Sequence, residues 1–188
     1  MRDYSHLFSP NVYNFKTVDK INAEIELEQV HNFLEKAGIR HWLSSGTMLG
    51  IYRDGKFLKG DTDIDFGIRG EDVVSIQDAV PWKLRPAIKT ERTWQSVFVS
   101  PRNIAIDLMW FWEDGDNIIN RNDGGVWVKP KNKMDELGTL EFKGVKYPTP
   151  DPEWYLEKRF KDWKTRLPKK GKDWKEFAGE FLRDNYGL

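Results

Sequence analysis

The sequence predicts an α+β domain, a mixed and largely antiparallel sheet flanked by helices, on three observations. A stretch with helical apolar spacing opens the chain, short β-rich runs separated by turn residues fill its middle, and helices follow a proline-rich segment near its end. At 188 residues a single main domain is expected. We place an N-terminal extension at 1–16, the domain at 17–167, and a helical C-terminal tail packed on it at 168–188.

Taken in order, Thr17 can cap a helix from Val18 to about Ala37. Val18, Ile21, Ile25, Val30, Phe33, Leu34 and Ala37 form its mostly three- and four-spaced apolar stripe, and Gly38 stops it. Ile39–Ser44 reads as a strand, Gly46-Thr47 as a turn, and Thr47–Arg53 as a brief helix before the Asp54-Gly55 turn. Ile64–Ile68 is the next strand, and Glu71–Ala79 a helix ended by Pro81. Ala87–Lys89, Trp94–Ser100, Ile104–Trp112, Asn117–Asn120 and Val126–Val128 read as strands joined by turns. After Pro148 and Pro150, a helix runs from about Pro152 to Trp163, then a basic loop at Pro168–Lys172 and a final helix near Trp174–Arg183.

Composition excludes several function classes. Basic and acidic residues both total 30, so no global field draws the chain to DNA or to an anionic membrane. No window reaches the roughly 20 apolar residues of a membrane span, and the first residues lack the apolar core of a signal peptide, so a cytoplasmic location is expected. The absence of cysteine removes disulfides, thiolate nucleophiles and thiolate zinc sites. The three histidines are His6, His31 and His41; the last two have no histidine partner at i+4 and read as structural. Most of the nine tryptophans are expected in the core rather than on a stacking surface.

Chemistry concentrates in Asp61-Thr62-Asp63-Ile64-Asp65. On an extended strand Asp63 and Asp65 point to one face while Ile64 and Phe66 point to the core, and Asp61 joins that face if the extension begins early. Carboxylates so close repel unless a cation neutralises them, and Mg2+ or Mn2+ suits an all-oxygen cluster that also meets phosphates. An EF-hand is excluded, because the loop's sixth and twelfth positions would be Phe66 and Asp72 instead of glycine and glutamate. Downstream, Asp107 interrupts an apolar strand; it is explained as a third metal ligand if that strand lies beside Ile64–Ile68, or else as a salt-bridge partner. Upstream, Ser45-Gly46-Thr47 between a strand and a helix can present N–H groups and hydroxyls to phosphate.

The stretch from Ser44-Ser45-Gly46-Thr47-Met48-Leu49-Gly50 through Arg53 to Asp61-Thr62-Asp63-Ile64-Asp65 resembles the LicD/fukutin-type family, a branch of the polymerase-beta-like nucleotidyltransferases. So do Tyr147-Pro148-Thr149-Pro150-Asp151-Pro152-Glu153-Trp154-Tyr155-Leu156 and Asp162-Trp163 in the closing segment. Two departures are visible: Lys59-Gly60 replaces the usual Pro-Trp, and Lys161 stands where a glycine is typical. The resemblance implies a nucleotidyltransferase-like fold with Asp63 and Asp65 as paired metal ligands and Asp107 as the third, Asp61 being an additional acidic position. It implies that Gly46, Thr47 and Arg53 lie on the donor phosphate side, with Ser45 orienting the pyrophosphate and Lys59 or Lys56 facing the leaving group. The activity implied is transfer of a phosphoalcohol, such as phosphocholine or an alditol phosphate, from a CDP-linked donor to a saccharide hydroxyl. The alternatives are transfer of NMP from an NTP to a small molecule, protein or RNA, and a non-catalytic nucleotide-binding module.

Overall fold

The computed structural model of the chain describes residues 20–59, 61, 63–72, 76, 89–90, 93–122, 125–165 and 182–183. Helix α1 (Lys20–Lys36) leads to the short strand β1 (His41–Leu43), which helix α2 (Ser45–Asp54) follows almost directly. Next come β2 (Asp63–Arg69), a 3-10 turn at Gly70–Asp72, and strands β3 (Lys89–Thr90), β4 (Thr93–Val99), β5 (Ala105–Asp114), β6 (Asn117–Asn122) and β7 (Gly125–Pro130). A short helix α3 (Lys131–Asp135), strands β8 (Gly138–Phe142) and β9 (Val145–Thr149), helix α4 (Pro152–Arg159) and strand β10 (Leu182–Arg183) complete the described elements.

Helix α1 buries Ala23, Leu27, Val30 and Leu34, one ridge at three- and four-residue spacing. Ile21 and Ile25, expected on the stripe, are instead 71% and 37% exposed, because helical rotation carries them to the side opposite that ridge. On the flank of the ridge Glu26 is fully buried, and Arg102 pairs with it at 2.9 Å. The expected start of this helix at Thr17 and Val18 lies outside the described residues.

Glycines shape α2. Gly55 adopts a left-handed conformation (φ 61°) and closes the helix, its N–H donating to Ile51 O at 3.1 Å. At Gly50 a Cβ would stand 2.7 Å from Lys56 O and 2.8 Å from Leu58 N, so only glycine lets the following loop fold back along the helix. Gly46 lies one turn earlier on the same face, and the returning loop brings the Asp61 carboxylate beside it. The loop therefore delivers the acidic run to the start of α2.

The sheet runs in the order β1-β2-β5-β6-β7-β10, with β4 also on β5 and β3 on β4. Among the described residues only the β2–β5 pair is parallel; the other pairings are antiparallel, as the sequence predicts. Strand β4 pairs with Ala105–Met109 of β5 and β6 with Trp112–Asp114. At the seam the Asn120 amide donates to Trp94 O at 2.7 Å and Trp110 O at 2.9 Å, satisfying carbonyls that the change of partner would leave open.

Four regions differ from the sequence reading, one being α4, which ends at Arg159, short of Trp163, where Phe160 turns extended. The β8–β9 hairpin is closed by Lys143-Gly144, both at positive φ (54° and 81°), a two-residue turn without the Asn-Gly signal that betrays such hairpins. Helix α3 is likewise unanticipated, being too short for a periodic pattern. Leu182–Arg183, expected to end the final helix, is a strand paired with Val126 and Trp127 of β7. An open sheet edge offers unpaired N–H and C=O groups, and here tertiary pairing outweighs local helical preference. The rest of that expected helix, residues 168–172 and most of 71–79 and 87–89 lie outside the described residues.

Trp42, Trp110, Trp127 and Trp163 are buried in the core and Trp94 and Trp154 pack against it, whereas Trp112 is 41% exposed; Trp82 and Trp174 lie outside the described residues. Among the described residues, no helix is long and apolar enough to cross a membrane.

Candidate active site

The parallel pairing of β2 and β5 sets Asp65 directly opposite Asp107 and Asp63 opposite Ala105. Strand alternation sends Ile64, Phe66 and Ile68 into the core, all fully buried, and turns Asp63 and Asp65 to the other face. One oxygen from each of Asp63, Asp65 and Asp107 lies within 4.8 Å of the other two. Two sequence segments forty residues apart thus form one cluster. On the same face of β2, Gly67 leaves room for Trp42; a Cβ there would stand 2.3 Å from the indole.

The start of α2 abuts this cluster. The Gly46 and Thr47 N–H groups donate to Asp65 Oδ2 at 3.0 and 3.3 Å, and the Asp65 N–H donates to Thr47 Oγ1 at 2.8 Å. These donors, expected to receive substrate phosphate, are therefore engaged by Asp65 and fix its carboxylate at the positive end of the helix. Gly46 also packs against Asp61, whose two carboxylate oxygens would lie 3.5 Å from a Cβ at that position. Asp61 thus flanks the trio and is not one of the three mutually close carboxylates. Ser45, at φ 42°, points its hydroxyl between Met109 Sδ at 3.8 Å and Arg159 Nη2 at 3.4 Å.

Burial pushes the Asp65 carboxyl up to about 7, with Asp63 adding to the effect and the Thr47 and Gly46 N–H groups and Arg159 opposing it. Asp107 is raised well above the usual carboxylate range by burial, then by Asp63 and Asp65. Close carboxylates that resist ionisation together are a cation site in waiting. The donors are hard oxygens without nitrogen or sulfur, so the residues present fit Mg2+ or Mn2+ and not a thiophilic metal.

Sequence reading missed the wall opposite the carboxylates. Lys129 is buried under the Phe111 and Tyr155 rings, 4.2 and 4.3 Å from their centroids, and donates to the Tyr155 hydroxyl at 3.0 Å. The same hydroxyl meets Ser44 Oγ at 2.6 Å. Burial alone would raise the Tyr155 hydroxyl, but Lys129 and Arg159 outweigh it and hold it below its usual range. Arg159, half-buried, stacks on Trp127 with its guanidinium carbon 3.7 Å from the ring centre, and its charge acts on Asp65. The available signals were a lysine ending the apolar run Val126-Trp127-Val128 and the i, i+4 placement of Tyr155 and Arg159.

Arg53 does not join the cluster. It lies two turns along α2 from Ser45, roughly 12 Å at 1.5 Å per residue. There it makes a bidentate pair with Asp54 at 2.8 Å and donates to Trp163 O at 2.8 Å. These contacts tie α2 to the segment after α4. Lys56 and Lys59 are exposed on the loop leading to Asp61.

Comparison with known proteins accords with this geometry. Residues 38–152 match the family described as LicD/FKTN/FKRP, nucleotidyltransferase domain. The human ribitol-5-phosphate transferase FKTN is 33% identical over 168 residues, 82% of this chain and 35% of the relative. The human ribitol 5-phosphate transferase FKRP is 50% identical over 40 residues, 21% of this chain and 8% of its own length. The chain thus spans about a third of the FKTN relatives it matches. Among solved structures, the lincosamide antibiotic adenylyltransferase LnuA superposes with a TM-score of 0.52 at 18% identity, over 71% of this chain and 84% of that one, a likeness of fold. The family match, extending over well more than half of the chain and enclosing α2, β2 and β5, shows that the protein belongs to the LicD/FKTN/FKRP nucleotidyltransferase-domain family.

Proposed function

We propose that the chain is a divalent-metal-dependent transferase that moves a phosphoalcohol, of the alditol phosphate or phosphocholine type, from a CDP-linked donor to a saccharide hydroxyl. The observation that carries this reading is the convergence of Asp63, Asp65 and Asp107 beside the start of α2 in a chain related to ribitol-5-phosphate transferases. Asp63, Asp65 and Asp107 would hold Mg2+ or Mn2+, and a bound ion would neutralise charge on the donor phosphates. Gly46 and Thr47 keep Asp65 in place through its Oδ2. Arg159, stacked on Trp127 next to Ser45, is the cation we assign to the donor phosphate, since a held guanidinium forks onto phosphate oxygens at small entropic cost. Asp107, whose proton affinity burial and its carboxylate neighbours raise, accepts the proton of the attacking saccharide hydroxyl at a carboxylate oxygen. The new bond joins the saccharide oxygen to phosphorus while the bond from phosphorus to CMP breaks, and CMP leaves.

The test is to incubate the protein with labelled CDP-ribitol, CDP-choline, CTP and ATP in the presence of saccharide acceptors, with Mg2+, Mn2+ or EDTA. Metal-dependent CMP release from a CDP-alcohol with labelling of the saccharide is the expected result. Pyrophosphate release from an NTP would replace this reading with nucleotidyl transfer. Nucleotide binding by calorimetry without turnover on any of the four would assign a binding module.

A further inference from the structure

We propose that His31, Glu35 and His41 form a second metal site, separate from the aspartate trio and selective for a transition-metal dication such as Zn2+. His31 and Glu35 stand four residues apart on α1 and therefore project from one helix face, while His41 opens β1. Their ligand atoms lie within 4.8 Å of one another, the second such group among the described residues. His31 Nδ1 and His41 Nε2 face each other at 2.8 Å, and Glu35 Oε1 is 3.8 Å from the same His41 nitrogen.

The His41 tautomer favours ligation, and the His31 Nδ1 proton that bridges the two rings is the one a metal ion would displace. His41 Nδ1 lies 2.9 Å from Ile39 O, an acceptor only, so the proton belongs on Nδ1 and the Nε2 lone pair points at His31. A backbone carbonyl that holds the remote N–H of an imidazole is the usual support of a metal-bound histidine. Packing fixes both rings: His31 lies 5.0 Å from the Tyr147 ring and His41 5.6 Å from Phe66. Two buried imidazoles and an exposed carboxylate supply three of the four ligands of a tetrahedral site. Zinc–nitrogen bonds of about 2.0–2.1 Å at a tetrahedral angle require the two nitrogens to part by about half an ångström, within the reach of side-chain torsions.

Sheet geometry separates the two sites. His41 pairs with Ile68 on β2 and shares its face with Phe66, whereas Asp63 and Asp65 occupy the other face. The donor sets differ too: nitrogen with one oxygen here, oxygen alone there. A zinc ion at the histidine site would pin the end of α1 to β1, immediately before the residues that enter α2.

The experiment uses the full chain carrying Asp63→Asn and Asp107→Asn, which disable the acidic site, stripped with a chelator and titrated with ZnCl2 and CoCl2. One zinc per chain, the intense visible bands of tetrahedral cobalt, and a rise in Tm on zinc addition are expected. Glu35→Gln, at an exposed position that leaves folding intact, should weaken zinc binding at least tenfold, and His41→Gln should abolish it. In the unsubstituted chain, zinc should shift the imidazole nitrogen resonances of His31 and His41 while Mg2+ leaves them unmoved. Absence of zinc binding in the doubly substituted chain, zinc affinity unchanged by Glu35→Gln, or imidazole resonances indifferent to zinc would each overturn the proposal.

Discussion

Replacing Asp65 by asparagine should stabilise the metal-free protein while abolishing its turnover. The Asp65 carboxyl is pushed from its ordinary 3.8 up to about 7. Between those values the folded chain keeps a proton that the unfolded chain has released, so stability declines as pH rises through this window. At about 1.36 kcal/mol per pKa unit, the ionised carboxylate weakens the fold at pH 8 by about 4 kcal/mol at most. Asparagine keeps an oxygen for the Gly46 and Thr47 N–H groups, but bonds to a neutral acceptor are weaker by about 1 kcal/mol each. A net gain of about 2 kcal/mol remains, which for a chain of this size raises Tm by roughly 4–8 °C. Scanning calorimetry in EDTA should show that gain at pH 8 and its disappearance at pH 5, where the parent carboxyl is already protonated. Mg2+ should raise the Tm of the parent protein at pH 8 and leave the variant unmoved. An asparagine variant less stable than the parent at pH 8 in EDTA, or one equally stabilised at both pH values, would refute the electrostatic account of this cluster.

Other positions test neighbouring parts of the structure. Arg159→Gln should reduce kcat/KM about 100-fold, and Arg159→Lys should not restore it, because a lysine loses the stack on Trp127 and the forked contact; steady-state kinetics on the labelled donor decides this. Gly67→Ala sets a methyl 2.3 Å from the Trp42 indole and should cost about 1–3 kcal/mol in urea denaturation. Arg102→Ala strips the partner from fully buried Glu26 and should cost about 2–3 kcal/mol, less than for a fully buried pair because Arg102 is partly exposed; reversing the loss with Glu26→Leu would show that the carboxylate is the cause. Burial holds His31 and His41 below 6.5, with Glu35 and Glu28 opposing it at His31 and the Ile39 carbonyl opposing it at His41. The unfolded chain therefore binds more protons just below that pH, and in chelator the protein should lose stability as pH falls through 6.5, a loss that His31→Gln should reduce.

Much of the catalytic candidate was legible in the sequence, because adjacent residues on an extended strand have a fixed relation. Asp63 and Asp65 share a face through strand alternation alone, and Asp107 stood out as a carboxylate inside an apolar run that needed a partner. Gly55 marked where α2 ends, since the Asp-Gly turn there takes a left-handed conformation that a Cβ would strain. Local chemistry of this kind needs no knowledge of distant segments.

What the tertiary structure alone decided were the relations between segments. The parallel register that sets Asp65 opposite Asp107 depends on how β2 and β5 are docked, which no local pattern encodes. The N–H groups of Gly46 and Thr47 were expected to receive substrate phosphate, and only packing made Asp65 an anion they hold. Arg53, matched by resemblance to a donor-phosphate arginine, takes Asp54 and the Trp163 carbonyl as partners through packing that no local pattern encodes. Conversely Arg159, Lys129 and Tyr155 come from elements far from the acidic run in the chain, and they, like the pairing of His31 with His41 across the turn from α1 to β1, acquire meaning only when the sheet and its helices bring them together. Sequence determines a residue's chemistry and its local direction, while long-range packing selects its partner from many groups of similar intrinsic affinity.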